Sequence, residues 1–363
     1  MITHSNKLKT SLTTVLLMLF SQCVFAQAEQ PILSDNLDYK NHQEESILDH
    51  LMESGMSKLE IEAPIDDLFN DRRYKNYKQA IATFIFKNGE TWTDSLEVKV
   101  RGVYRAAKCD NPPLKIKYSK KLLEERGLKK RNEYKLVYPC KNTEEYQNYI
   151  YKEYLIYKLY NELTDKSLRV HLIDFTIRDS EQTLENINST GFMIEHREEI
   201  IKRLDAYKND ERCLSIPIKN VASHEYMLFQ VFQYMIGNVD WIVENCKNAE
   251  VILMQDSTIV PIPYDFDYTG MVNPSYARPD ARYKQKKITD RYFLGDERNL
   301  EELSPIFELF KEKESSFKKI INDFEYLPKK ERKAMLYYLK TFYRLLNSSD
   351  EVKEAFIQNI EAK

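Results

Sequence analysis

The sequence predicts an α+β fold in two lobes, a strand-rich lobe over residues 58–196 and a mainly helical lobe over 197–363. Three observations carry this reading. Between residues 58 and 137 apolar and polar residues alternate with a period of two, and after residue 143 the apolar spacing turns helical. One strand–turn–strand stretch then interrupts the helical half at 250–264. Alternation marks strands with one buried face, whereas apolar residues three and four apart mark a helix face. Strands first and helices after them is α+β order, and the crevice between two lobes is the expected place for a ligand.

The strands can be followed one by one. "KLEIEA" puts Leu59 and Ile61 on one face, and "QAIATFIFKNGE" runs into an Asn88–Gly89 turn. In "SLEVKVRG", Leu96, Val98 and Val100 alternate with Glu97, Lys99 and Arg101, and in "PPLKIKYS" Leu114, Ile116 and Tyr118 alternate with Lys115 and Lys117. "YKLVYPC" reads as a further short strand. Residues 143–163 then switch to a helix, with Tyr151, Leu155, Leu159 and Leu163 along one face. Two more strands follow in "SLRVHLIDFTI" and "TGFMIEH". The second half has helices at "VASHEYMLFQVFQYMIGN", "LSPIFELFKEKESSFKKIINDF", "KKERKAMLYYLKTFYRLL" and "DEVKEAFIQNI".

The N-terminus is expected to be a secretory signal peptide over residues 1–28. Lys7 and Lys9 precede a short apolar core from Leu12 to Phe20, and small residues allow cleavage after Ala26 or Ala28. The core is too short to span a bilayer, and no later run approaches a membrane helix. Losing the two lysines takes the net charge from −3 to −5. Residues 29–57 read as a polar lead-in with a short helix at "EESILDHLME". The chain is therefore expected in the periplasm, at the cell surface or secreted. Cys109, Cys140, Cys213 and Cys246 remain after cleavage, an even number that permits disulfides, with free buried thiols as the alternative.

The eight glycines form neither a dinucleotide fingerprint nor a Walker loop, and there is no HExxH, CxxC or GxSxG. Rossmann enzymes, P-loop enzymes, zincins and ordinary α/β hydrolases are thereby excluded. Any chemistry must rest on carboxylates, amides and basic groups. Those residues gather around "GNVDWIVENCKNAEVILMQDSTIVPIPYDFDYTG". If "EVILM" and "TIVPIPY" pair as a hairpin, Asn248 and Asp265 meet at one end, beside Asp240 and Asn245 in the preceding loop. Converging oxygen ligands of this kind suit Mg²⁺, which takes one or two carboxylates and completes its shell with phosphates. Residues 99–131 carry twelve Lys and Arg against three Asp and Glu, a charge that suits a phosphate-facing surface. Nucleic acid is not the expected partner, because the aromatics in that stretch lack a stacking-module pattern and the chain is read as exported.

An Asp, an Asn five residues on, a hairpin and a second Asp is also the order used by protein kinases. "VKVRGVYRAAKCDNPPLKIKY", "YKLVYPC", "YKEYLIYKLYNELT", "GFMIEHREEI", "MIGNVDWIVENCKN" and "VPIPYDFDYTG" resemble the spore-coat CotH-like atypical kinases, over roughly residues 58–300. The resemblance implies a protein-kinase-like fold, ATP with Mg²⁺ or Mn²⁺, and phosphate transfer to protein hydroxyls. By it Asp240 is the catalytic-loop base and Asp265 a metal ligand, with Asp267 beside it. Kinase spacing selects Asn245 as the amide ligand, whereas the family pattern selects Asn248. Lys135 and Glu153 are the expected lysine–glutamate pair, with Lys115 and Lys117 as competing lysines. Arg101, Arg105 and Lys108 replace the missing glycines of a phosphate-covering loop, and Glu195 is counted among the cofactor-binding residues. Two other readings compete, a kinase-fold surface or assembly protein without catalysis and a binding module stabilised by Ca²⁺.

Overall fold

Period-two patterning fixes which face of a strand is buried and leaves its partner open. In the computed structural model the partners make a closed barrel. The structure describes residues 45–207, 221–283, 285–295 and 300–358, so the signal peptide, most of the lead-in and Cys213 lie outside it. All described residues belong to the unit Glu44–Lys363.

A short helix, α1 (Ile47–Ser54), opens the described chain with Ser46 and Asp49 as a capping box. It leads into β1 (Met56–Ala63), α2 (Ile65–Asn70), β2 (Lys78–Phe86) and β3 (Thr91–Val100). Next come α3 (Tyr104–Lys108), β4 (Leu114–Lys117), α4 (Lys120–Glu125), β5 (Glu133–Val137) and the long helix α5 (Glu144–Leu163). After α5 the chain returns as β6 (Val170–Asp179) and β7 (Ile187–Ile194). The strand order is β1-β2-β3-β4-β5-β7-β6, and β6 lies parallel to β1 from Lys58–Asp174 to Ala63–Asp179, which closes the ring. Every other neighbouring pair in the barrel is antiparallel.

This closure corrects the expected fold class. A protein-kinase-like two-lobed fold has an open sheet in its strand-rich lobe, and here seven strands close on themselves. The alternating patterns of β1 and β6 satisfy an open sheet and a barrel equally, because both have one buried face. The pairing that separates them spans more than a hundred residues and leaves no local mark.

Two cores follow from the closure. Leu59, Ile61, Phe84, Val98, Ile116, Leu136, Phe175 and Met193 fill the barrel, with Ile47, Leu48 and Leu51 of α1 joining them. The alternate residues Val137 and Phe192 point outward into a second core with α5 and the helical half. That half comprises α6 (Arg197–Arg203), α7 (Ser223–Ile236), the hairpin β8 (Ala249–Leu253) and β9 (Ile259–Pro263), α8 (Leu300–Asp323), α9 (Lys329–Leu346) and α10 (Ser349–Lys353). Full burial of each large apolar side chain contributes about 1.5–3 kcal/mol, so these two clusters dominate the stability. Lys152 of α5 ties the layers together, pairing with Glu331 at 2.7 Å through a nearly buried side chain.

Gly191 sits where β7 joins β5. A Cβ there would stand 2.2 Å from the Val137 carbonyl oxygen and 2.7 Å from the Phe175 ring, so only glycine lets the strands meet. Gly191→Ala is expected to lower the unfolding free energy by about 3 kcal/mol, read from the urea midpoint at constant slope. An unchanged midpoint would show that the strands do not meet as described.

Candidate functional site

The hairpin forms as its sequence suggests, with Ala249 opposite Pro263 and Leu253 opposite Ile259. Tyr264 donates its backbone N–H to the Asn248 carbonyl at 3.2 Å, so Asn248 and Asp265 share one end of it. Helix α7 delivers the other residues to that end. It stops at Gly237, whose left-handed backbone (φ 68°) faces the Tyr338 hydroxyl where a Cβ would come to 2.2 Å. The buried Asn238 then orders the turn. Its amide donates to Gln233 Oε1 at 3.0 Å, and its Oδ1 accepts from the Asp240 N–H at 2.9 Å.

Asp240 meets Asn248, whose Nδ2 donates to the Asp240 carbonyl at 2.6 Å and to its Oδ2 at 3.1 Å. The other carboxylate oxygen pairs with Lys247. Asn245 is placed differently. It is exposed, and its Oδ1 accepts from the Lys247 N–H at 3.2 Å, closing a local turn. Of the two asparagines, Asn248 is the one in contact with Asp240.

Asp265 follows β9 in a left-handed conformation (φ 63°), and its N–H donates to the Tyr157 hydroxyl at 2.9 Å. Asp267 accepts from the Tyr276 hydroxyl at 3.1 Å. Coupled electrostatically to these acids are Glu153 on α5, Arg101 at the end of β3 and Arg105 on α3. Glu153 is 2 % exposed, and its Oε2 has no hydrogen-bond partner; the buried Nε of Arg101 has none either. Arg101 donates to the Leu136 carbonyl at 3.3 Å and Arg105 to the Tyr138 carbonyl at 2.8 Å. Both contacts hold the arginines against β5 and the segment after it.

The charges of this group act on one another. Burial pushes the Glu153 carboxyl well above the ordinary carboxylate range, and Asp267 and Asp265 add to the push against Arg105 and Arg101. Asp267 is pushed up to about 6, first by burial and then by Asp265, with Arg105 and Tyr276 opposing. Burial lowers the Arg101 guanidinium, with Arg105 adding to the effect. For Arg105 burial is the largest influence, yet Asp267 and Glu153 outweigh it and raise the group. Three carboxylates and two guanidiniums from four chain segments thus form one coupled set. Such sets cluster at functional sites.

The remaining candidates lie elsewhere or at the margin. Lys135 is half-buried, with its Nζ 5.5 Å from the centre of the Tyr264 ring, next to Asp265 in sequence. It shares a row with Lys115 and Lys99 across β5, β4 and β3. Lys115 pairs with Glu133 at 2.6 Å, and Lys117, one row away, pairs with Glu97 at 2.8 Å. Lys108 is exposed at the end of α3. Glu195 belongs to an ion network, accepting from Arg169 Nε at 2.8 Å and from Arg203 Nε and NH2 at 3.0 and 2.9 Å. Three neighbours escaped the sequence reading. Tyr157 lies one helical turn after Glu153 on the same face, a spacing that could have found it. Tyr276 and Lys247 carry no such signal.

Cys109 and Cys140 form a disulfide, and Cys246 is disulfide-bonded as well. Among the described residues no group of three or more His, Cys, Asp or Glu is placed to hold a metal ion by itself.

No family model and no curated protein matches this chain, so the resemblance to CotH-like kinases stands without a family match. A crystal structure of the proinflammatory kinase CtkA from Helicobacter pylori is similar over 73 % of this chain and 93 % of that one, with 13 % identity and a TM-score of 0.37. A kinase is therefore among the structures that this chain is similar to, and at that score the likeness carries no argument for a shared fold or activity.

In chelator-treated buffer the raised Asp267 carboxyl sets a sign. The folded chain keeps a proton there between about pH 4 and pH 6 that the unfolded chain releases, so stability is expected to fall as pH rises through that window. The loss from this group is at most about 2–3 kcal/mol. Asp267→Asn is expected to flatten that part of the profile and raise the thermal midpoint at pH 7. A variant less stable than wild type at pH 7 would contradict the assignment.

Proposed function

We propose that this chain is an exported phosphotransferase, binding ATP with Mg²⁺ or Mn²⁺ and passing a phosphoryl group to a protein hydroxyl. The observation that carries the reading is the coupled set of Glu153, which is buried, Arg101, Arg105 and Asp267, which are half-buried, and Asp265, which is exposed. Bringing such charges together out of water is costly unless they answer to one another or to a ligand. Two of the buried polar atoms in the set, Glu153 Oε2 and Arg101 Nε, are left without a partner. A metal–nucleotide complex fits this donor set. Asp265 and Asp267 would supply the one or two carboxylates that Mg²⁺ takes, and phosphate oxygens would complete the shell, so a three-residue protein cage is not needed.

The divalent ion would neutralise charge on the phosphates as the transfer proceeds. Arg101 and Arg105 present forked donors suited to phosphate oxygens, with Lys135 as a further cation. Glu153 would add negative charge near the two arginines. Asn248 orients Asp240, which would accept the proton of the acceptor hydroxyl. The Cys109–Cys140 disulfide supports placing the chain in an oxidising compartment.

The full chain is expected to gain thermal stability with ATP and Mg²⁺ or Mn²⁺. Asp265→Ala should abolish that gain, and Arg105→Gln should weaken nucleotide binding roughly tenfold. Asp240→Asn should keep binding and slow transfer by about 10²–10⁴. No response to nucleotide in the wild type would sink the proposal, and stabilisation by Ca²⁺ alone would favour a metal-stabilised binding module. Nucleotide binding with no transfer to self or to generic acceptors would favour an assembly protein.

A further inference from the structure

Arg105 rides on α3, a helix too short to be stable by itself. Val103 and Tyr104 at its start are 83 % and 64 % exposed, and Ala106 is its one buried residue. The helix is anchored instead at its C-terminal end. Cys109, buried and next after Lys108, is cross-linked to Cys140, 31 positions further along the chain, with their Cα atoms 4.8 Å apart. Cys140 stands two residues after Tyr138, whose carbonyl accepts from Arg105 at 2.8 Å. The disulfide therefore joins the segment carrying the arginine to the segment that receives it. Non-covalent ties run beside it. Asn111 donates its N–H to the Cys140 carbonyl at 2.9 Å, and Arg72 donates to the Cys109 carbonyl at 2.7 Å.

We propose that Cys109 and Cys140 are positioning residues of the anion site, and that a dithiol which reduces their disulfide releases Arg105 and weakens anion binding. The inference rests on the reading of Arg105 as a phosphate-binding group. The chemistry is an ordinary exchange. A thiolate of the dithiol attacks Sγ of the half-exposed Cys140, and Cys109 leaves as a thiolate. The second thiol of the reagent then attacks the mixed disulfide, freeing Cys140. Two electrons and two protons pass to the protein as two thiols, and the reagent becomes a cyclic disulfide. With the cross-link gone, α3 keeps the Arg72 and Asn111 contacts and loses its covalent register to Tyr138.

The test compares the full-length wild type with Cys109→Ser/Cys140→Ser, because reductant alone would also reach Cys246. Hydrogen exchange at Tyr104–Lys108 is expected to speed up at least tenfold in the double variant and in dithiothreitol-treated wild type. Amides of Ile116 and Leu136 should keep their rates. ATP·Mg²⁺ should bind the double variant roughly tenfold or more weakly than the oxidised wild type. Unchanged exchange at α3 overturns the proposal whether or not nucleotide binds. So does faster exchange with unchanged affinity. An oxidised wild type that does not bind ATP·Mg²⁺ sinks the phosphotransfer reading, and the exchange comparison then decides on the clamp alone. If the double variant fails to fold, Cys109→Ala/Cys140→Ala, which removes the same cross-link and leaves Cys246 untouched, gives the same comparison.

Discussion

Six residue pairs, from Lys58–Asp174 to Ala63–Asp179, join β1 to β6 in parallel, and the barrel exists because of them. Without that seam both strands would be sheet edges with unpaired backbone groups. The seam also decides what lies inside and what lies outside. Once the ring is shut, Leu136 and Met193 fill the interior while their neighbours Val137 and Phe192 face α5. Helix α5 can then lie on the outer surface and present Glu153 toward the end of the β8–β9 hairpin. Asp179 finishes the seam by accepting from the Ile65 N–H at 3.0 Å and from Thr183 at 2.7 and 2.8 Å, which stops the chain from fraying there.

The site built on that surface works against the stability of its surroundings. Glu153 and Asp267 resist ionisation in this setting, and the half-buried Arg101 keeps its buried Nε without a partner. A barrel optimised only for stability would place apolar groups of similar size there. The arrangement contrasts with the network around Glu195, where two arginines satisfy one carboxylate with several donors. Both are charged. The Glu195 carboxylate is buried and satisfied internally, whereas the other set is only partly buried and keeps two polar atoms without partners.

Much of this was visible in the residues, and the division between what was and what was not is physical. The strands, helix α5, the helical second half and the β8–β9 hairpin rest on interactions between near neighbours, so periodicity and turn residues reveal them. The meeting of Asn248 and Asp265 followed from antiparallel pairing alone. Barrel closure did not, because β1 and β6 find each other only in three dimensions. Glu195 shows the same limit at a single residue. Its partners lie 26 residues before it and eight after, and nothing beside a strand end distinguishes a ligand-binding carboxylate from one held by arginines. The segment "VYRAAKCDN" contains a short helix whose one buried residue is Ala106, too little apolar pattern to announce it.

Among the described residues, eight non-glycine positions have a positive φ, and two of them, Asn248 and Asp265, stand in the candidate site. Side chains other than Asn, Asp and Gly adopt that backbone region at a cost. The consequence concerns descent. At Asn248 and Asp265 a lineage can move to glycine and keep the loop, or exchange Asn with Asp and keep a side-chain oxygen, while nearly every other change distorts the backbone as well as removing that oxygen. Through glycine a line could therefore preserve the shape for a long time after losing both side chains. Finding glycine at both positions in a descendant would mark a protein that has kept the scaffold and given up the two side-chain oxygens.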